Sequence, residues 1–400
     1  MDINRNESKW ITRLLIIACV VCNISQIPVF WENRLIGITY TIIWIALFAM
    51  TFLKNADIDL IFNICRFALI FDIFCFMMYL INGGGYVTSD LFRPVNLSAF
   101  VMIVGTFTGK YIDDDAINRL SKFFIASVIV FAIYVYINYF RGVDWAGSGV
   151  YVYTAKNSAG QILLNAIIIL LIYYVRDHKV ISWGLILFLG ALIFMMKSRA
   201  VIMSSMVVVV YYLFFYVKNT VVKLLGVAAC AAVFWITLTD EHTYNLLINQ
   251  ILLNNRNADD ITAVSSYRDK HLELFLEQFP DNMIIGTGGT YLESMPLAVL
   301  LSYGLIGGIP LLLFSLYPIY LGVKRIRQDK AQKELCHFII LLGLTMTANG
   351  IFEEQAPFGP GVKCFFLWLM TGFLIGRIRE EKVSSEAHRQ PEGFVYSSRL

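Results

Sequence analysis

Arg268, His271 and Glu293 are the side chains whose types and spacing are best suited to chemistry. They lie in the polar stretch from about Asp240 to Met295, the longest in a sequence otherwise made of apolar windows. A guanidinium stays charged in any surroundings, and its fork matches phosphate oxygens in pairs. Ser265 or Ser266 can cap a helix in which Leu272, Phe275, Leu276 and Phe279 form an apolar stripe. Pro280-Asp281-Asn282 ends that helix. On it Arg268 and His271 fall one turn apart and therefore side by side. The stripe is expected to bury one side and to present these two residues toward whatever lies above the bundle. Tyr267 precedes the arginine. Gly286-Thr287-Gly288-Gly289 then permits a tight backbone path. Tyr291-Leu292-Glu293-Ser294 stands at the mouth of the next apolar window. A carboxylate half-buried at such a boundary titrates nearer neutrality, which suits Glu293 to take a proton from a hydroxyl. His271 is the alternative base, and an acid that merely faces a helix dipole is the alternative role for Glu293.

Other charges need a reason too. Lys197-Ser198-Arg199 separates two apolar windows. Arg199 is either an interfacial cation whose stem lies along apolar surface or an anion clamp that works with Arg268. Glu353-Glu354, followed by Pro357, Gly359, Pro360 and Gly361, can rim the same cavity. Arg66 and Asp72 fall inside an apolar window, where charges face a bundle interior; Asp72 must pair with another helix or line a cavity. Asp113-Asp114-Asp115 reads as a solvated charge run in preference to a metal site. The sequence has no Walker loop, HExxH, GxSxG or His/Cys metal constellation. No cofactor is expected, and any reaction must draw on a substrate that is already activated.

The elements that must position these residues are membrane helices. The chain is 58% hydrophobic and 15% charged, with a mean hydropathy of +0.66; soluble domains are about 45–50% apolar. A bilayer crossing needs about 20 apolar residues. The windows 10–30, 35–53, 60–81, 92–108, 123–140, 157–175, 180–196, 200–217, 222–238, 296–322, 335–352 and 362–377 meet that need approximately. The expected fold is thus an all-α polytopic membrane protein with about twelve transmembrane helices. Residues 1–381 form one transmembrane domain with a large loop at about 239–295, and 382–400 form a disordered tail. Trp10 to Phe30 has no small-residue cleavage site and is expected to stay as an anchor.

Lys324, Arg325, Arg327, Lys330 and Lys333, together with Arg377, Arg379 and Lys382, are expected on the cytoplasmic side. Alternation then places both termini inside. Outside lie the large loop, Lys197 to Arg199, the turn from Gly83 to Arg93, and Glu353-Glu354. Seven cysteines sit within or at the ends of apolar windows, and the Cys19–Cys22 spacing reads as packing. A net charge of +3 is too small and dispersed for a nucleic-acid partner.

Several stretches in order resemble the O-antigen polymerase and O-antigen ligase superfamily. They are Lys156-Asn157-Ser158-Ala159-Gly160-Gln161, Lys197-Ser198-Arg199-Ala200, Tyr267-Arg268, Gly286-Thr287-Gly288, Tyr291-Leu292-Glu293-Ser294 and Tyr303-Gly304-Leu305-Ile306-Gly307. They cover about the second half of the chain; the first half matches in hydropathy alone. The resemblance implies a GT-C-like helical membrane fold in the bacterial inner membrane. It implies transfer of a glycan from undecaprenyl diphosphate at the periplasmic face by a glycosyltransferase; the expected mechanism is inverting and metal-independent, because paired guanidinium groups supply the charge a metal would provide. Arg199 and Arg268 would then grip the diphosphate, with Lys197, Tyr267, Tyr291, Glu353 and Glu354 lining the cavity. A flippase and a chain-length regulator would be partners beside the lipid bilayer. Ligases of the superfamily carry a His where this chain has Glu293-Ser294, which favours a polymerase of O-antigen, capsule or exopolysaccharide repeat units over a ligase. A polysaccharide transporter or flippase is the alternative from another class.

Overall fold

The computed structural model describes residues 5–27, 30, 33–53, 57–83, 85–141, 156–253, 262, 265, 267–328, 332–358 and 361–387. Ser266, Trp31, Glu32, Gly359, Pro360, Lys330 and the tail beyond Ala387 lie outside them, as does much of the large loop before Tyr267.

Regular structure among the described residues is helical throughout. Its long elements are α1 (Arg5–Ile24), α2 (Arg34–Phe52), α3 (Ile58–Asn82), α4 (Phe92–Gly109), α5 (Asp114–Phe140) and α6 (Lys156–Ile169). They continue as α7 (Lys179–Met195), α8 (Arg199–Tyr211), α9 (Thr220–Thr239), α10 (Arg268–Asn282), α11 (Met295–Gln328), α12 (Lys333–Gly350) and α13 (Gly361–Ala387). π-Helical turns, Leu170–Tyr174 and Tyr212–Tyr216, extend α6 and α8. A helix lies over every one of the apolar windows. Six of them, α3, α5, α6, α8, α9 and α11, counting the two π-turns with α6 and α8, are long and apolar enough to cross a membrane.

Small residues let two of these helices touch backbone to backbone. Gly105 and Gly109 of α4 face Gly372 and Gly376 of α13. A Cβ at Gly372 would lie 2.3 Å from the Met102 carbonyl oxygen, and one at Gly105 would lie 2.5 Å from that of Leu369. Among apolar helices there is little hydrophobic drive to associate, so such close packing is what holds a pair together. The centre is built from α6, α12 and α13, where Phe338, Phe366 and Trp368 are fully buried. Asp72 resolves its choice by pairing: the Asn96 amide of α4 donates to it at 3.0 Å. The Arg66 guanidinium lies 4.8 Å from the centre of the Phe67 ring.

The bundle has two chemically different ends. At one, Arg377 meets Asp114 at 2.6 Å, Arg379 meets Asp57, and Arg325 meets Glu381. The Asp113 carboxylate accepts from the Ala116 N–H at 2.7 Å, so this acidic run is used for capping and ion pairing. At the other end gather the starts of α6, α8, α10, α11 and α13 and the end of α12.

The segment between α10 and α11 is bound to a break in α11. The sequence suggests an unbroken helix through Tyr303 to Gly307; instead Gly304 adopts φ 61° and ψ −163°. That break leaves the Leu301 and Ser302 carbonyls and the Leu305 and Ile306 N–H groups without helical partners. Thr287 and Gly288 donate to the two carbonyls at 2.9 Å each. Leu305 and Ile306 donate to Met283 and Ile284 at 2.8 and 3.2 Å. These four backbone groups are therefore taken up by the segment between α10 and α11, as a buried break demands. The Tyr86 hydroxyl fastens the same segment from the side by donating to the Gly286 carbonyl at 3.1 Å.

Candidate functional site

Helix α10 delivers the arginine. The chain turns through Tyr267 at a left-handed φ of 66°, and the helix opens at Arg268. Ser265 caps from outside the helix end, its hydroxyl accepting from the Asp269 N–H at 3.5 Å. Its hydroxyl donates to the Asp269 carboxylate at 2.6 Å, as Thr262 does at 2.5 Å.

The buried face also differs from the expected stripe. Phe275 and Phe279 pack inward, whereas Leu272 and Leu276 are exposed. Arg268, His271, Phe275 and Phe279 fall on one side of the helix, at spacings of three and four residues. The polar pair is thus turned into the bundle together with the aromatic residues, because Arg268 finds a carboxylate there and His271 a backbone N–H.

Those partners define a cleft of about 240 Å³ lined by Asp90, Asn157, Arg268, Tyr291, Glu293, Phe352, Glu353, Glu354 and Gln355. Arg268 bonds Glu293 at 2.9 Å. It also donates to the Ser265 and Phe352 carbonyls at 3.1 Å each, and its guanidinium lies 5.5 Å from the Phe352 ring centre. One side chain therefore ties α10 to the segments preceding α11 and following α12.

His271 stands behind this pair. Its Nδ1 accepts from the Glu293 N–H at 2.8 Å, and its ring meets that of Tyr291 edge to face at 5.9 Å. An Nδ1 that accepts must be unprotonated, so the ring proton sits on Nε2. The imidazole therefore positions the Glu293 backbone.

The other wall is organised around a lysine. Lys363, fully buried at the start of α13, binds Glu353 at 3.1 Å. The Asn157 amide donates to the same carboxylate, and Ser198 donates to Asn157 at 2.6 Å. Burial pushes the Glu353 carboxyl up, but Lys363, Asn157 and Arg268 together outweigh it and hold the group below the usual carboxylate range. Below the cleft a buried amide column continues inward. Asn165 donates to the Lys363 carbonyl at 2.9 Å, and Asn349 to Gln161 at 3.0 Å.

Lys363 and this column escaped the reading of the sequence. The available signal was an ammonium inside an apolar window, which requires a counter-charge. Replacing Lys363 with Met leaves Glu353 in place without its cation. The expected loss is about 3 kcal/mol of stability, the scale for breaking a buried pair. Adding Glu353→Gln should recover most of it; thermal unfolding in detergent of the two variants checks this, and equal losses would contradict the pairing.

Arg268, Glu293, Tyr291, Glu353 and Glu354 thus converge in one cleft, with His271 supporting them. Tyr267 is exposed at the helix entrance. Lys197 (φ 49°) and Arg199 stand half-buried on either side of Ser198 and do not line the cleft. Arg199 opens α8, one residue beyond the Ser198–Asn157 contact. Among the described residues no group of three or more His, Cys, Asp or Glu side chains could hold a metal ion. No family model matches the chain, and no curated protein matches it.

Proposed function

We propose that this protein is a multispan membrane glycosyltransferase that lengthens a lipid-linked glycan. The donor is a glycan on undecaprenyl diphosphate, and the acceptor is the sugar end of a new lipid-linked repeat unit. In this reading about twelve helices span the bacterial inner membrane, both termini are cytoplasmic, and the cleft faces the periplasm.

One observation carries the reading. A guanidinium and several carboxylates, drawn from distant parts of the chain, meet in a cleft at the end of an apolar bundle. A donor of this class carries its tail in hydrocarbon and its diphosphate at the boundary, and a position for Arg268 at the end of a bundle of apolar helices supports such a role. The sugar acceptor suits the remaining lining, since carboxylates and amides accept and donate to hydroxyls while Tyr291 and Phe352 offer ring faces.

Arg268 is held by Glu293 in the resting protein. An arriving diphosphate competes for the same fork, and in the transition state the negative charge on the leaving oxygen grows. A preorganised cation aimed at that oxygen lowers the barrier. Arg199 is the second cation of the reading, at the same end of the bundle.

Expression in cells whose own polymerase is deleted tests the proposal. The wild-type chain should restore a ladder of polysaccharide lengths built from lipid-linked repeat units. Attachment of a single unit without growth in length would identify a ligase instead. Movement of the lipid-linked glycan across vesicles without a new glycosidic bond would identify a transporter.

A further inference from the structure

We propose that Glu354, with Asp90 beside it, is the catalytic residue that takes the acceptor hydroxyl's proton; this rests on the glycan-transfer reading above.

Most of the cleft's charged groups are already committed to partners. Glu293 is bound to Arg268, and Glu353 is bound to Lys363 and Asn157. His271 has its Nδ1 lone pair committed to the Glu293 N–H. Glu354 and Asp90 remain, both lining the cleft, and neither has an ion-pair partner among the described residues. Their segments are far apart in the chain: Asp90 lies just before α4, and Glu354 in the turn between α12 and α13. Both are free to meet a substrate.

A base must lose its proton near working pH and must touch the reacting hydroxyl. Glu293 is committed to Arg268 at 2.9 Å and does not meet the hydroxyl while Arg268 holds it. Glu354 is half-buried; burial first, and the like charge of Asp90 second, push its carboxyl up to about 7. The groups facing this cleft are Asp90, Asn157, Arg268, Tyr291, Glu293, Phe352, Glu353 and Gln355. The Arg268 and Lys363 charges are matched by Glu293 and Glu353, so the carboxyl of Glu354 feels little net cation.

In the step itself the acceptor oxygen attacks the anomeric carbon and forms the new C–O bond. The bond from that carbon to the diphosphate oxygen breaks, and its electron pair leaves with the diphosphate toward Arg268. The hydroxyl proton passes to the Glu354 carboxylate.

Glu354 must be ionised to act, so the rate should rise as pH rises through about 7. Stability should move the other way. Because the folded-state pKa is raised, the stabilising contribution is complete below the ordinary carboxyl range and is lost as pH rises through about 7.

Two readouts on the full chain in membranes test the assignment. Dicyclohexylcarbodiimide modifies protonated carboxyls in apolar surroundings. Peptide mapping should find Glu354 modified at low pH, with half the modification lost at about pH 7. Asp90→Asn should move that midpoint to lower pH. In chain extension, Glu354→Gln should lose about 100-fold or more, in line with the loss of a general base. Glu354→Asp should keep a measurable rate and an acid limb. Glu354→Gln extending chains at the wild-type rate, or Glu354 showing no pH-dependent modification, overturns this role alone. Wild-type protein that is modified at Glu354 yet extends no glycan overturns the glycan-transfer reading, and this role with it.

Discussion

Arg268→Ala should abolish polysaccharide ladders, with chain extension falling about 100-fold or more, the scale for removing one preorganised charge-stabilising donor. The substitution removes the Glu293 pair at 2.9 Å, both 3.1 Å bonds to backbone carbonyls and the contact with the Phe352 ring. Three segments lose their common tie, and Glu293 is left in the cleft without its cation. Arg268→Lys should rescue little. A lysine restores a point charge but cannot reach Ser265, Phe352 and Glu293 in one planar fork. Adding Glu293→Gln to Arg268→Ala separates structure from chemistry: the double variant should regain folded yield while ladders stay absent. Full-length ladders from Arg268→Ala would sink the diphosphate role of this arginine.

Gly304→Ala should cost on the order of 4 kcal/mol and sharply lower the yield of folded protein, because two separate penalties act at one residue. Its φ of +61° strains an L side chain by about 1–3 kcal/mol. A Cβ there would also lie 2.3 Å from the Ile284 carbonyl oxygen, and that backbone is fixed by its own bond to Ile306. Relief would require breaking the exchange between the loop and the helix break, at a further cost of about 1–3 kcal/mol from overpacking. Gly286→Ala meets the same two obstacles, with φ +75° and a Cβ 2.4 Å from the Ser302 carbonyl carbon. Gly83 provides the control, since it has φ +83° but open space around its Cβ position. Gly83→Ala should therefore cost the backbone strain alone, about 1–3 kcal/mol. Thermal unfolding of the three variants in one detergent decides the matter; if Gly304→Ala and Gly83→Ala unfold together, the backbone exchange is not what holds the loop. The consequence for the site is direct, because the segment clasped to this break leads into Tyr291 and Glu293.

How much of this was legible before the fold depended on the range of the physics involved. The helices were readable because length and apolar content are local properties, and a bilayer-length apolar stretch satisfies its own backbone only as a helix. The left-handed glycines were readable for the same reason, since Gly286, Gly288 and Gly289 announce their backbone freedom residue by residue. Candidate chemistry was also visible, because side chains of the right type stand in the one long polar stretch and beside the windows that follow it: Arg268, His271, Glu293 and Glu353-Glu354 all stood out. What these groups do to one another was not. Arg268 and His271 were expected on the side of α10 opposite its apolar stripe, yet they share the inward side with Phe275 and Phe279. Glu293 had the right type and place for a base, but whether a guanidinium holds it depends on how α10 docks against α11.

By itself, then, the sequence determined an all-helical chain, the positions of its helices and the short polar segments at their ends. Tertiary structure alone decided that α11 breaks at Gly304, that Lys363 is buried against Glu353, and that Glu354 is left facing Asp90 without a cation. The reason is that charge pairing and desolvation act across a few ångströms of space, between residues that the chain separates by tens or hundreds of positions, and no local pattern encodes which of them will meet.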